Sequence, residues 1–291
     1  MRSSPGHAAY VRFSPESIWD ATNPWRDARE CVLEEGADID FDVLFLSGVD
    51  WRRVIPEHQR PEYHRPIVNL VQHVRHGCES DPLGRHMLLR HKAIRICVSS
   101  EVEKAILATG RVRGPVFTIP DAIDLDAVAD LAKAPARDVD VLVAANKQPE
   151  LGGSIARRLA APGRSVHLVD TRVPRPELVG LMGRARVTVL VPNPKEGFYL
   201  PALEAMAAGT IVVCPDCVGN RSFCLDGRNC FRPAYSEEAI VAAAELALGD
   251  ETGHDAMLSA ARETAGEHDI AGERRAFLDI LDRVEELWAG A

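Results

Sequence analysis

Two glutamates, Glu196 and Glu204, bracket the segment of this chain with the clearest chemical content: Lys195-Glu196-Gly197-Phe198-Tyr199-Leu200-Pro201-Ala202-Leu203-Glu204. The apolar run Val187 to Val191 before it reads as a strand. Leu200 to Ala208 reads as a helix, with Pro201 near its start and Gly209 just past its end. A loop running from a strand into a helix presents unpaired backbone N–H groups and the positive end of the helix dipole, which suit a diphosphate. Gly197 would let a ligand approach the backbone closely. Two carboxylates beside an anion site do not serve the anion. They suit sugar hydroxyls lying on either side of it, because an ionised carboxylate only accepts hydrogen bonds.

A diphosphate also calls for cations beside it. Lys147, which with Asn146 comes after the apolar run Val139 to Ala145, is the best placed cation; Lys195 and Arg221 are others. In the first half, Gly48 and Asp50 come after the apolar run ending at Ser47, and His73 and His76 after Ile67 to Val71. Either histidine could orient a hydroxyl or a phosphate. No metal site is expected. Cys214, Cys217, Cys224 and Cys230 are spaced too closely for a standard zinc knuckle, and the histidines lack the helical His-Glu pattern of a metal site.

The elements that must hold these residues alternate. Strand-like runs at Asp42–Gly48, Ile67–Val71, Ile94–Val98 and Val116–Ile119 are separated by turn signals, with a helix from Glu101 to Thr109 capped by Ser99 or Ser100. The second half repeats the pattern with strands at Val139–Ala145, Val166–Val169, Val187–Val191 and Ile211–Cys214. Its helices are expected over Gly153–Ala160, Pro176–Gly183, Leu200–Ala208, Glu237–Leu248 and Met257–Ala265. Strand and helix in regular succession indicate parallel βαβ units. The expectation is an α/β protein of two Rossmann-like domains facing across a cleft, with ligands beyond the carboxyl ends of the strands. The domains are read as 1–125 and 138–270, joined by the Ala/Asp-rich stretch Asp121–Asp138. Residues 271–291 form a closing helix with one apolar stripe, Phe277, Leu281, Val284 and Trp288, that packs back on the first domain.

The segment from Glu196 to Glu204 resembles the Glu-x(7)-Glu motif of the family-4 glycosyltransferases, retaining enzymes of the two-Rossmann, B-type fold. Ala205-Met206-Ala207-Ala208-Gly209-Thr210-Ile211-Val212-Val213 resembles the family's helix and following strand. Asp226-Gly227-Arg228-Asn229-Cys230 is similar to its DG-x-N-G segment, with Cys230 for the glycine, and Ile119-Pro120-Asp121-Ala122-Ile123-Asp124 to its interdomain IPNGID segment. The resemblance runs from about Cys97 to the C-terminus. It implies that Glu196 holds donor-sugar hydroxyls, that Glu204 holds the nucleotide ribose, and that the N–H groups of Phe198, Tyr199 and Leu200 cradle sugar or diphosphate. Gly197, Lys195 and Asn146 complete the donor side. Glu196, Lys147 and His73 are the catalytic candidates; Gly48, Asp50 and His76 are the acceptor-side ones. The family's Arg and following Lys after the first strand of the second domain are not reproduced, and Lys147 is their substitute. The first domain lacks the family's glycine-rich loop, of which Gly48 is the remnant, and is shortened.

The composition sets the remaining bounds. With 291 residues, 46% hydrophobic and 26% charged, disorder and fibrous repeats are excluded. No apolar run approaches the ~18 residues that span a bilayer, and Met1 to His7 lacks an export signal's apolar stretch, so a cytoplasmic protein with reduced cysteines is expected. A net charge of -9 argues against bulk-charge binding of nucleic acid. The stretch Arg60–Arg113 is the exception, with ten Lys/Arg against five Asp/Glu; six of the ten histidines lie in it or just before it. It suits an anionic acceptor or contact with a membrane surface. The expected function is a retaining transfer of sugar from a nucleotide-diphosphate sugar, without a cofactor or metal, to an acceptor that is a carbohydrate, a lipid-linked group or a small molecule. Oligomeric state is open. A nucleotide-sugar epimerase on the same fold and a donor-binding module without turnover are the alternatives.

Overall fold

The computed structural model describes residues 6–14, 17–19, 23, 25–34, 37, 39–58, 64–134, 136–249 and 254–290. The start of the basic stretch at residues 60–63, residue 135 of the expected linker, residues 1–5 and residue 291 lie outside the described residues.

Two four-stranded sheets organise the chain, and every strand pair in them is parallel. The first contains β1 (Leu44–Ser47), β2 (Ile67–Val71), β3 (Ile94–Cys97) and β4 (Val116–Thr118), in the order β1-β2-β3-β4. Its crossovers carry α1 (Trp51–His58), α2 (Arg85–Leu88) and α3 (Ser100–Leu107). After α4 (Leu125–Leu131), the second sheet contains β5 (Val139–Ala144), β6 (Val166–Val169), β7 (Ala185–Leu190) and β8 (Ile211–Val213). These are joined by α5 (Pro149–Leu159), α6 (Arg175–Arg184) and α7 (Leu200–Ala207). The strand order here is β6-β5-β7-β8. The chain leaves β5 to one side and returns to its other side at β7. The carboxyl ends of β5 and β7 therefore flank a switch point, where loops diverge and leave a crevice.

Apolar β-branched side chains on both faces bury β5 and β7 almost completely. One face packs with α5 and α8 (Glu237–Gly249) around Val141, Ile155, Val187 and Ile240. The other belongs to a cluster that runs into the first half, joining Leu142, Leu190 and Leu203 to Val71, Val98 and Val102.

Three features add to or differ from the expectations. The stretch Asp121–Asp138 contains α4, capped by the Asp124 carboxylate accepting the Ala127 N–H at 2.9 Å. The connection is doubled: Ile123 donates to the His268 carbonyl at 2.9 Å and Ile270 donates to the Ile123 carbonyl at 3.0 Å, so the outgoing and returning chains pair where they cross. The closing element is two helices rather than one. After α9 (His254–Glu267), α10 (Ile270–Asp282) ends at Arg283, whose φ of -109° and ψ of 12° leave the helix, and α11 (Val284–Ala289) comes next. Ile280 and Val284 bury against Val68, Ile94 and Ile96 of the first sheet and Ile119 just beyond it.

Candidate active site

The loops at the carboxyl ends of β5, β6 and β7 come together at the switch point. Lys147 lies in the turn after β5, and Glu196 lies in the loop after β7. Their side chains meet, with Lys147 Nζ donating to Glu196 Oε1 at 2.7 Å. The Asn193 N–H donates to the same oxygen at 3.2 Å, so Oε2 is the oxygen left to accept from a ligand. Asn193 also shapes the loop, its Oδ1 accepting the Lys195 N–H at 3.0 Å. The Lys147 ammonium stands 5.7 Å from the centre of the Tyr199 ring, within the range of a cation–π contact. Tyr199 is buried, and burial raises its phenol well above the ordinary value.

Glu204 sits in α7, a helix buried from Ala202 to Met206, where small apolar side chains let it pack closely. A lone carboxylate in such a place is costly unless paired. Its partner is Arg175, the first residue of α6, with Nε donating to Glu204 Oε1 at 2.5 Å. Glu204 is 8% exposed at the side chain and Arg175 46%. Here too one carboxylate oxygen is engaged and Oε2 is left. Arg175 does not stand out in the sequence. Its only signal is a cation at a helix head just after a strand, bracketed by Pro174 and Pro176.

The other donor-side expectations divide. Asn146 and Lys195 are exposed on the rim. Phe198 packs its ring on Phe223 (centroids 5.0 Å apart) and His268 (5.5 Å), so only its backbone can face a ligand. The Tyr199 N–H does not join the expected cradle, because it donates to the Gly219 carbonyl at 3.0 Å. Leu200 heads α7, and Pro201 behind it has no N–H to offer. Gly197 is a glycine for a different reason from the one expected. A Cβ there would lie 1.9 Å from the Gln72 carbonyl oxygen, so the missing side chain makes room for the first half of the protein rather than for a ligand. The Gly197 carbonyl accepts from the buried Ser99 hydroxyl at 2.8 Å, and the Ser99 hydroxyl oxygen also caps α3 by accepting the Val102 N–H. Ser99 thus fastens the motif loop to the first half, with the Gln72 backbone close against it, and neither residue stands out in the sequence as a site residue. Arg221 is held by Asp216, with Nη2 to Oδ2 at 2.6 Å.

On the first wall, His73 is half-buried and within electrostatic reach of Glu196 and Lys147. Its pKa lies below the ordinary value, chiefly through burial and then through Arg75. Its Nδ1 accepts the Arg75 N–H at 3.1 Å, so the neutral ring carries its proton on Nε2. His76 is corrected from an acceptor-side candidate to a core residue. It is 4% exposed, and burial with neighbouring Arg85 pushes its pKa down to about 4. Gly48, at φ +54°, turns the chain from β1 towards α1. Asp50 is exposed and accepts the Ser47 N–H at 3.3 Å, closing that turn. Among the described residues, no group of three or more side chains is placed to hold a metal ion.

Two parallel α/β units whose facing strand ends carry a crevice with paired cations and carboxylates define a two-Rossmann, B-type glycosyltransferase fold. Solved structures agree. Sucrose-phosphate synthase from Thermosynechococcus elongatus is 17% identical, with a TM-score of 0.65 over 86% of this chain and 75% of that one. HepE of Anabaena in complex with UDP is 16% identical, with a TM-score of 0.67 over 83% and 79%. A trehalose-6-phosphate synthase, described for glycosyl transfer with retention, is 11% identical, with a TM-score of 0.63 over 89% and 76%. No curated protein sequence gave a match. Residues 103–250 match the family described as Glycosyl transferases group 1, and the chain belongs to that family. Among the described residues, no helix is long and apolar enough to cross a membrane.

Proposed function

We propose that the protein transfers a sugar from a nucleotide-diphosphate sugar to an acceptor hydroxyl with retention of anomeric configuration. The observation that carries this reading is the meeting of Lys147 and Glu196 at the switch-point crevice, 2.7 Å apart, from loops after two adjacent strands. Glu196 Oε2 accepts from the donor sugar's hydroxyls, and Glu204 Oε2 from the ribose. The N–H groups of Phe198 and Leu200 face the diphosphate at the head of α7. Lys147 and the helix head, in place of a metal, stabilise the charge that grows on the diphosphate as the sugar leaves. The acceptor attacks from the face the leaving group departs, and the departing phosphate takes the acceptor's proton. Neutral His73 orients the acceptor through Nε2–H. The capture of HepE with UDP and the retention described for the trehalose-6-phosphate synthase support the donor class and the stereochemistry. The net-basic stretch Arg60–Arg113 supports an acceptor that carries negative charge.

The test is to incubate wild type and Glu196→Ala with UDP-, GDP-, dTDP- and ADP-sugars and to quantify released nucleotide. Slow release by wild type that is lost in the variant is expected. Binding without release, unchanged by the substitution, identifies a module without turnover. Absence of binding to every donor overturns the reading.

A further inference from the structure

We propose that Arg175 is the second phosphate-binding cation of the donor site, taking the phosphate attached to the ribose, while Lys147 takes the one attached to the sugar. The inference rests on the donor reading above and adds a residue to it. Arg175 heads α6 directly after β6, and β6 lies beside β5, so Arg175 and Lys147 stand on one rim of the sheet. Pro174 precedes it and Pro176 comes after it, and two fixed φ angles set where its side chain starts. Its contact with Glu204 places it at the ribose end of the crevice, just as the contact of Lys147 with Glu196 places that residue at the sugar end. With Nε engaged, the Nη groups carry four further N–H donors in a planar fork that matches phosphate oxygens.

At rest, each cation is held by a carboxylate that the donor's hydroxyls would claim. A donor lying from Glu196 to Glu204 brings its two phosphates between the two pairs. Hydroxyls then take the Oε2 atoms and phosphates take the free Nη and ammonium donors, while each carboxylate keeps its cation through Oε1. Arg221, the other arginine considered for this role, is tied to Asp216.

The experiment is calorimetric titration of wild type, Arg175→Gln, Arg175→Lys and Arg172→Gln with uridine, UMP and UDP, and with the adenosine, guanosine and thymidine series. Arg172 is exposed in the same loop and serves as the charge control. In the series that wild type binds, Arg175→Gln is expected to weaken the mono- and diphosphates by roughly ten- to a hundred-fold, with nucleoside affinity nearly unchanged. Arg175→Lys keeps the charge without the fork and is expected to fall between. It also carries the test if Arg175→Gln melts early from loss of Glu204's partner. Equal weakening of nucleoside and monophosphate overturns the inference, because Arg175 would then act only by orienting Glu204. Wild type binding no nucleoside diphosphate in any series overturns the donor reading itself, and that result needs no variant.

Discussion

The two walls of the crevice use their polar residues differently. On the wall of the second sheet, Lys147–Glu196 and Arg175–Glu204 are paired by single hydrogen bonds, with one oxygen of each carboxylate left over. On the wall of the first sheet, Ser99, Gln72, Asp50 and His76 are committed to holding the protein together. Ser99 ties α3 to Gly197, and Gln72 accepts from the Ser47 hydroxyl at 2.9 Å. Asp50 closes its own turn, and His76 is buried. Charge that can be exchanged is concentrated on one side, and shape on the other. A charged donor held by the second wall and an acceptor admitted by the first fit that division.

The largest expected effect breaks the comparison on the structural side. His76 has its pKa pushed from 6.5 to about 4, so between those values the unfolded chain binds a proton that the folded one does not. Stability therefore falls as pH drops from about 6.5 towards 4, by roughly 3 kcal/mol at the lower end for this residue. Urea unfolding at steps across that range shows the loss, and His76→Phe flattens it. An unchanged slope in the variant would return His76 to the list of functional groups. Next is Lys147→Gln. Its pair with Glu196 is partly exposed, so stability is expected to change by at most about 1 kcal/mol. Nucleotide release from the donor sugar is expected to fall by roughly a hundred-fold, as when one group stabilising a developing charge is removed. A large stability loss with unchanged release would erase the difference between the walls. The smallest effect is that of Gly197→Ala, which presses a Cβ onto the Gln72 carbonyl and is expected to cost about 1–3 kcal/mol of stability. Loss of nucleotide affinity at unchanged stability would show instead that this space belongs to the ligand.

The strands were legible because each is a short β-branched run between turn signals; six of the eight match their expected spans to within one residue, and β7 starts two residues earlier than expected. The first strand is trimmed further, Asp42–Gly48 reducing to Leu44–Ser47. The motif loop was legible as a place but not as a set of bonds. Gly197 reads in sequence as access for a ligand, and only the approach of Gln72 shows what fills the space. The Glu204 partner lies 29 positions away, and no local pattern links the two. His76 comes after a strand much as His73 does, but the short helical turn over Val74–Gly77 sends it inward. The helix α4 was hidden by the Ala/Asp composition of its segment, although Asp124 is an ordinary N-cap signal. The break at Arg283 was hidden because the apolar stripe continues across it from Phe277 to Trp288.

The doubled crossing has a consequence for how the protein is made. The chain leaves the first sheet before residue 125 and returns only after residue 267 to lay α10 and α11 on it. Trp288 donates its indole N–H to the His64 carbonyl at 3.0 Å, a closure across 224 positions. Synthesis runs from the N-terminus, and domains generally fold as they emerge. Here the apolar face of the first sheet stays open until α10 and α11 are in place, whereas the cluster around Val141, Ile155 and Ile240 draws on residues 141–258 alone. The face of the first sheet that carries Val68, Ile94 and Ile96 is thus closed by residues more than 180 positions further along the chain.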